Sequence, residues 1–216
     1  MNILCLNTAF KNTYVAVNNN KKTVFKCVDS SLKQSENVLG VIDSCLIESK
    51  LTLKNLNAVA CVIGPGSFTG IRIGASMAKG FCMALPNLKK IQINSLDLLA
   101  FSYVQNNQPN QDFWVVLNAL SGNLFACKYS STGKTLTDYM MVFGEQLEQI
   151  SGMVVGLKEE ELSLCNAYSE FSCEHLLQFA LNKAKEGGYA NDFVPLYLRK
   201  SQAEAELDKK MLKPQE

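Results

Sequence analysis

Between Phe68 and Leu85 the sequence writes a helix with almost no polar side. Ile71, Ala75, Ala78 and Cys82, with Ile73, Met77, Phe81 and Leu85, cover most of its circumference, and only Arg72, Ser76 and Lys79 form a narrow polar stripe. Gly70, Gly74 and Ala78 recur at every fourth position, a flat strip on which another backbone can come close. A helix apolar nearly all round has to be covered on several sides. The residues before it tighten that constraint. Ala58 to Ile63 reads as a strand, and Gly64-Pro65-Gly66-Ser67-Phe68-Thr69-Gly70 turns it directly into the helix. A strand at Lys90 to Asn94 and a helix from Ser95 to about Gln105 follow, which is the alternation of an α/β protein.

Upstream, Asn2 to Thr8, Thr13 to Asn18 and Thr23 to Asp29 read as three strands joined by short turns, followed by a helix from about Ser35 to Lys50. That helix also carries a wide apolar stripe, Val38, Val41, Ile42, Cys45 and Leu46, broadened by Leu39 and Ile47. After the polar stretch Asn106 to Gln111 the pattern restarts. Leu6 to Ala16 aligns without gaps to Leu117 to Cys127 at an offset of 111, with asparagines coinciding at positions 7/118 and 12/123. A duplicated strand-strand-strand-helix unit predicts two related lobes, residues 1–105 and 106–216. The second lobe is expected to hold a helix from Ser172 to Glu186 and a helical or frayed tail over 201–216.

Hydrophobic residues make up 47% of the 216 and charged ones 19%, so the chain is globular. In so small a protein two over-apolar helices need a lid, which either the core between the lobes or a partner supplies. The net charge of +1, from 21 basic and 20 acidic residues, gives no overall footprint for unaided nucleic-acid binding. Eight cysteines without a CxxC pair, with Cys5, Cys27, Cys61 and Cys127 inside apolar runs, read as reduced, mostly buried residues of a cytoplasmic protein rather than a zinc site. His175, the only histidine, reads as a surface helix residue, and no nucleophile-base arrangement is built from it. The opening MNILCLNTAF lacks the basic flank of a signal peptide, and Arg72 and Lys79 interrupt the longest apolar stretch, so no membrane span is expected.

The glycine segment opens a helix, where exposed amides can hold an anion. It lacks the Gly-Lys pair of a Walker A loop. It also resembles a dinucleotide turn, yet it follows the fourth strand, and no acid closes the next one, which ends Gln92-Ile93-Asn94. A tight turn starting a closely packed helix is the plainer reading. A dinucleotide-binding enzyme and an active ATPase or small-molecule kinase stand as alternatives.

Ile63 to Gly74 is similar to the signature segment of the TsaB (YeaZ) family, and the resemblance extends to Ile3 to Ala9, Gln34 to Leu39 and Pro195 to Arg199. It implies a two-lobed actin/sugar-kinase/Hsp70-like (ASKHA) ATPase fold of duplicated βββαβα units, with Gly64, Pro65, Gly66, Ser67, Phe68, Thr69, Gly70, Arg72 and Gly74 as the motif residues. The implied role is a non-catalytic subunit that pairs with a TsaD-like catalytic subunit and a TsaE-like ATPase. That assembly threonylcarbamoylates the adenosine beside the anticodon of tRNAs reading codons that begin with A. tRNA would be met only through the complex, ATP or ADP would sit at its interface if anywhere, and the chain alone would form a homodimer. The two over-apolar helices would be the contact, through Val38, Val41, Ile42, Cys45, Ile71, Arg72, Ala75, Ser76 and Lys79. Three positions depart from the family pattern: Asn7 and Asn118 stand where Asp is usual, and Gln34 where His is frequent. Ser95 and Leu99 stand where the active relative carries a histidine pair for a metal. No catalytic residue, metal site or cofactor of its own is therefore expected.

Overall fold

The computed structural model describes residues 1–29, 34–120 and 122–198. The expected tail over 201–216 and Arg199 lie outside the described residues. The first half forms β1 (Asn2–Asn7), β2 (Asn12–Asn19), β3 (Thr23–Asp29), α1 (Gln34–Glu48), β4 (Ala58–Gly64), α2 (Phe68–Ala84), β5 (Lys89–Asn94) and α3 (Ser95–Asn107). The second forms β6 (Phe113–Asn118), β7 (Leu124–Tyr129), β8 (Met140–Val142), β9 (Met153–Leu157), β10 (Ala167–Ser169) and α4 (Cys173–Lys185). Two five-stranded sheets result, ordered β3-β2-β1-β4-β5 and β8-β7-β6-β9-β10, so the same strand order occurs twice.

The strands alternate as their sequences require. In β1, Leu4 and Leu6 face α1 and α2, while Ile3 and Cys5 face the core shared by the two sheets. β3, an outer strand, buries only Val24 fully, which leaves Cys27 exposed instead of buried as expected; the remaining cysteines are buried or half-buried. α2 starts at Ser67, whose Oγ accepts the Gly70 amide, and α3 at Asn94, whose Oδ1 accepts the Leu96 amide at 2.7 Å. At the start of α4, His175 is half-buried rather than on the surface. Its amide donates to Ser172 Oγ, its ring lies 3.0 Å from the same oxygen, and burial lowers its pKa.

The second unit replaces two helices by short 3-10 turns, Gly144–Gln149 and Lys158–Glu160. Helices are also exchanged between the halves. α3 packs on β6, β7 and β10 as well as on β4 and β5, and α4 packs on β1, β2, β3 and β5.

The offset of 111 holds for β2 and β7, where Tyr14 and Ala16 match Phe125 and Cys127 on the shared core. It fails one strand earlier. Odd-numbered residues face that core in both β1 (Ile3, Cys5) and β6 (Val115, Leu117), and an odd offset exchanges the faces of a strand. The cause is a turn one residue longer: six residues lie between the core-facing pair Asn7 and Tyr14, seven between the corresponding pair Leu117 and Phe125.

Candidate functional site

The glycine segment is consumed by packing. A Cβ on Gly70 would lie 1.9 Å from the Thr8 carbonyl oxygen, and one on Gly74 2.4 Å from Thr8 Oγ1. Thr8 Oγ1 donates to the Gly70 carbonyl at 2.6 Å, and the Ser67 amide donates to the Ala9 carbonyl at 2.8 Å. The flat strip read from the sequence is thus filled by the β1–β2 turn. Gly64, at φ +109, has its other neighbour in the C-terminal segment: the Leu196 amide donates to the Ile63 carbonyl at 2.8 Å. Tyr197 stacks on Phe68 with centroids 4.9 Å apart, and Arg72 lies over the Phe68 ring and donates from Nε to the Tyr197 hydroxyl at 3.1 Å.

A cleft of about 540 Å³ opens between the two hairpin turns and the start of α2. Lys11, Ser67, Thr69, Asn118 and Glu160 are its polar lining. Two of these groups are already engaged, Ser67 Oγ by the Gly70 amide and Asn118 Oδ1 by the Leu120 amide at 2.8 Å. Glu160 accepts the Asn118 amide at 2.7 Å, and burial, opposed by that hydrogen bond, raises its carboxyl to about 7. Behind Ala9 and Phe10, which line the facing wall, Asn7 is buried, with Oδ1 taken by the Ala9 amide at 2.9 Å and Nδ2 without a partner. Its free end is a donor, whereas Mg²⁺ requires an oxygen acceptor, so the residues here do not fit the metal of an actin-like ATPase. Ser95 is buried with an unpartnered Oγ, and Leu99 sits wholly in the core. Among the described residues no group of three His, Cys, Asp or Glu is placed to hold a metal ion, and no helix is long and apolar enough to cross a membrane.

The faces of α1 and α2 require a correction. Val38, Ile42, Cys45 and Ala75, expected at a partner interface, are buried against Leu4, Leu6, Val15, Val59 and their neighbours, and Ile71, expected there too, is buried in the core shared by the two sheets. The most apolar side of each helix is the side its own sheet covers, and periodicity selects that side. Val41 is half-buried, and Lys79 forms a salt bridge to Asp192 at 2.9 Å. Arg72 and Ser76 do face outward. Beside them the outer surface presents Leu39 (51% exposed), Ile47 (74%) and Met83 (83%), together with Gly40 and Gly80, where a Cβ would meet nothing within 4 Å. Sequence reading missed two further groupings. Asp97 accepts hydrogen bonds from Tyr129 (2.8 Å) and Tyr139 (2.9 Å), whose phenols burial and that carboxylate keep protonated. Glu160 was hidden in an acidic run whose only signal was its length.

A family model described as "TsaD: tRNA N6-adenosine threonylcarbamoyltransferase" matches residues 29–165, more than half of the chain. The chain belongs to that family, on its TsaB (YeaZ) branch. The "tRNA threonylcarbamoyladenosine biosynthesis protein TsaB" of Buchnera aphidicola subsp. Schizaphis graminum is 28% identical over 200 residues, covering 89% of this chain and 91% of that protein. A "tRNA N6-adenosine threonylcarbamoyltransferase" of Phocaeicola vulgatus is 31% identical over 94 residues, 41% of this chain and 27% of that one. The solved structure of YeaZ from Pseudomonas aeruginosa superposes with a TM-score of 0.76 at 18% identity, covering 91% of this chain and 99% of that one, which establishes the fold. This TsaB-branch chain therefore shares the YeaZ fold, in which its two five-stranded sheets repeat one strand order.

Proposed function

We propose that this protein acts in tRNA threonylcarbamoyladenosine biosynthesis as a cytoplasmic, non-catalytic subunit that docks on a TsaD-type transferase through the outer face of α1 and α2. The observation that carries the reading is the outer surface of that helix pair. Large apolar side chains, Leu39, Ile47 and Met83, stand there beside two glycines open to close approach. Small residues next to exposed apolar ones are what a helix-on-helix contact uses, and exposed apolar area of this kind marks association sites. Membership in one family with the transferases supports a partner of like fold presenting its own helix pair. Without that partner the same face closes on a second copy. A TsaE-type ATPase joins the pair, and any ATP or ADP is held at the interface of the complex.

The test is co-purification with the cognate TsaD-type protein. Ile47→Asp with Met83→Asp is expected to weaken capture at least tenfold and to leave the circular dichroism spectrum unchanged. Undiminished capture by a folded double variant refutes the interface. A second reading, nucleotide turnover by this chain alone, draws on the cleft of about 540 Å³. The free amide donor of Asn7 speaks against it. A magnesium-dependent ATPase activity that follows the protein through gel filtration would favour it.

A further inference from the structure

The end of the first sheet opposite the cleft is lined with lysines. Strand pairing brings three connecting segments to that end, since Asn2 lies beside Asn19, Ile3 beside Ala58, and Ala58 beside Lys89. The β2–β3 turn carries Lys21 and Lys22, the α1–β4 connection Lys50 and Lys54, and the start of β5 Lys89 and Lys90. Five strands side by side make this rim roughly 20 Å long. All six lysines are exposed except Lys90, which is half-buried.

None of the six forms a salt bridge to a carboxylate among the described residues, although Lys22 lies near Glu48 and Lys90 near Asp192. The salt bridges there join Lys26 to Glu48, Lys79 to Asp192 and Lys158 to Glu170. Lys22 donates instead to the Glu48 backbone carbonyl at 2.9 Å. Between the lysines the rim is built of asparagine. The Asn2 amide donates to Asn57 Oδ1 and Asn2 Nδ2 to the Asn55 carbonyl, both at 2.8 Å, and Asn18 Nδ2 donates to the Met1 carbonyl at 3.0 Å. These neutral bonds tie the segments together without consuming the ammonium groups. At the β5 corner a depression of about 370 Å³ lies between Lys89, Lys90 and the exposed ring of Tyr189, with Lys89 Nζ 5.5 Å from the ring centre.

The near-zero net charge hides this separation. Of 21 basic and 20 acidic residues, removing these six lysines leaves 15 basic against 20 acidic over the rest of the chain. Fixed cations along an edge, interleaved with amides and ending at an exposed aromatic ring, match the groups that hold phosphates, sugars and an unstacked base. A bilayer surface would instead call for apolar side chains between the cations.

We infer that this rim binds the phosphate backbone of RNA, and, resting on the proposed role in a tRNA-modifying assembly, that the RNA is the tRNA presented to the complex. The experiment uses fluorescence anisotropy with unmodified tRNA on the full chain bound to its TsaD-type partner, at several salt concentrations. Lys54→Gln with Lys89→Gln is compared with Lys128→Gln with Lys134→Gln, an equal charge change on the second sheet. The rim pair is expected to weaken tRNA binding about tenfold and to reduce the slope of log affinity against log salt by about 1 to 2. The control pair should stay within about twofold. Equal losses from both pairs, or none from the rim pair, overturn the inference. So does rim-dependent sedimentation with phosphatidylserine vesicles while tRNA affinity is unchanged, which would assign the rim to a bilayer. Partner capture is measured on the same samples: if the unaltered chain captures no partner, the proposed role fails, and the same titration on the chain alone decides the rim.

Discussion

The two sheets share a strand order but not a covering. The outer face of the first is roofed by α1 and α2, which bury Leu4, Leu6, Val15, Val17 and Val59 beneath them. The corresponding face of the second, around Trp114, Val116, Ala126 and Val154, is closed by Ile150, Leu147 and Leu162 from 3-10 turns and loops. The seal is comparable, yet among the described residues only the first sheet gains an outer helical surface. The two copies share a framework, and among the described residues the helices of one copy alone add a second layer to it. Loops can exclude water from a sheet, but a flat, rigid second layer on which another protein can settle requires helices.

The largest effect should come from separating the roof from its sheet. Gly70→Ala places a methyl group 1.9 Å from a backbone carbonyl that cannot swing away. It should cost more than about 4 kcal/mol or abolish folding, as judged by urea denaturation. Ile42→Asp, beneath the roof, should destabilise by about 4 kcal/mol. Ile47→Asp, on top of it, should leave stability within about 0.5 kcal/mol. A similar loss at both sites would mean that the roof has no free outer side.

On the second-sheet wall of the cleft the comparison becomes electrostatic. The Glu160 carboxyl, raised by burial from 4.5 to about 7, holds in the folded state a proton that the unfolded state releases above its lower pKa. Stability should therefore fall as pH rises from about 4.5 to 7 and level off above that. Glu160→Gln, which keeps an acceptor for the Asn118 amide, should flatten this profile. It should raise stability at pH 8 by up to about 3 kcal/mol, seen as a higher melting temperature at pH 8 and little change at pH 4. Tyr139→Phe removes one of two phenols from Asp97 and should cost about 1 to 2 kcal/mol by denaturant unfolding, the other phenol remaining in place. Gly80→Ala, facing open space on the roof, should stabilise the helix by less than about 1 kcal/mol; a loss of stability would show that the outer face is not open.

Much of the fold was legible because each local pattern has one period. The apolar runs of β1, β4 and β6, the starts of α2 and α3, and the turn after β2 follow directly from residue type. The internal repeat was legible as a topology but not as a register, since one residue more in a turn is invisible to an ungapped comparison yet exchanges faces. Five residues read as interface, Val38, Ile42, Cys45, Ile71 and Ala75, are buried instead, for a related reason. Periodicity measures how apolar a face is, and Val38 and Ala75 are apolar because a sheet lies under them. Leu39 and Met83 break the pattern, and single exceptions carry little weight in a moment. Arg72 and Tyr197 are 125 positions apart, so no local pattern links them. The lysine rim escaped notice because its members come from three separate connections and sum, with the rest, to almost nothing.

The exchange of α3 and α4 between the halves has a consequence for synthesis. When the first 107 residues have left the ribosome, the first sheet has its roof but lacks α4 on its other side, and α3 waits for strands not yet made. Neither half can close its core until residue 185 has emerged. Chaperones therefore meet this protein as one late-maturing unit, and two separately expressed halves should become soluble only when they are made in the same cell.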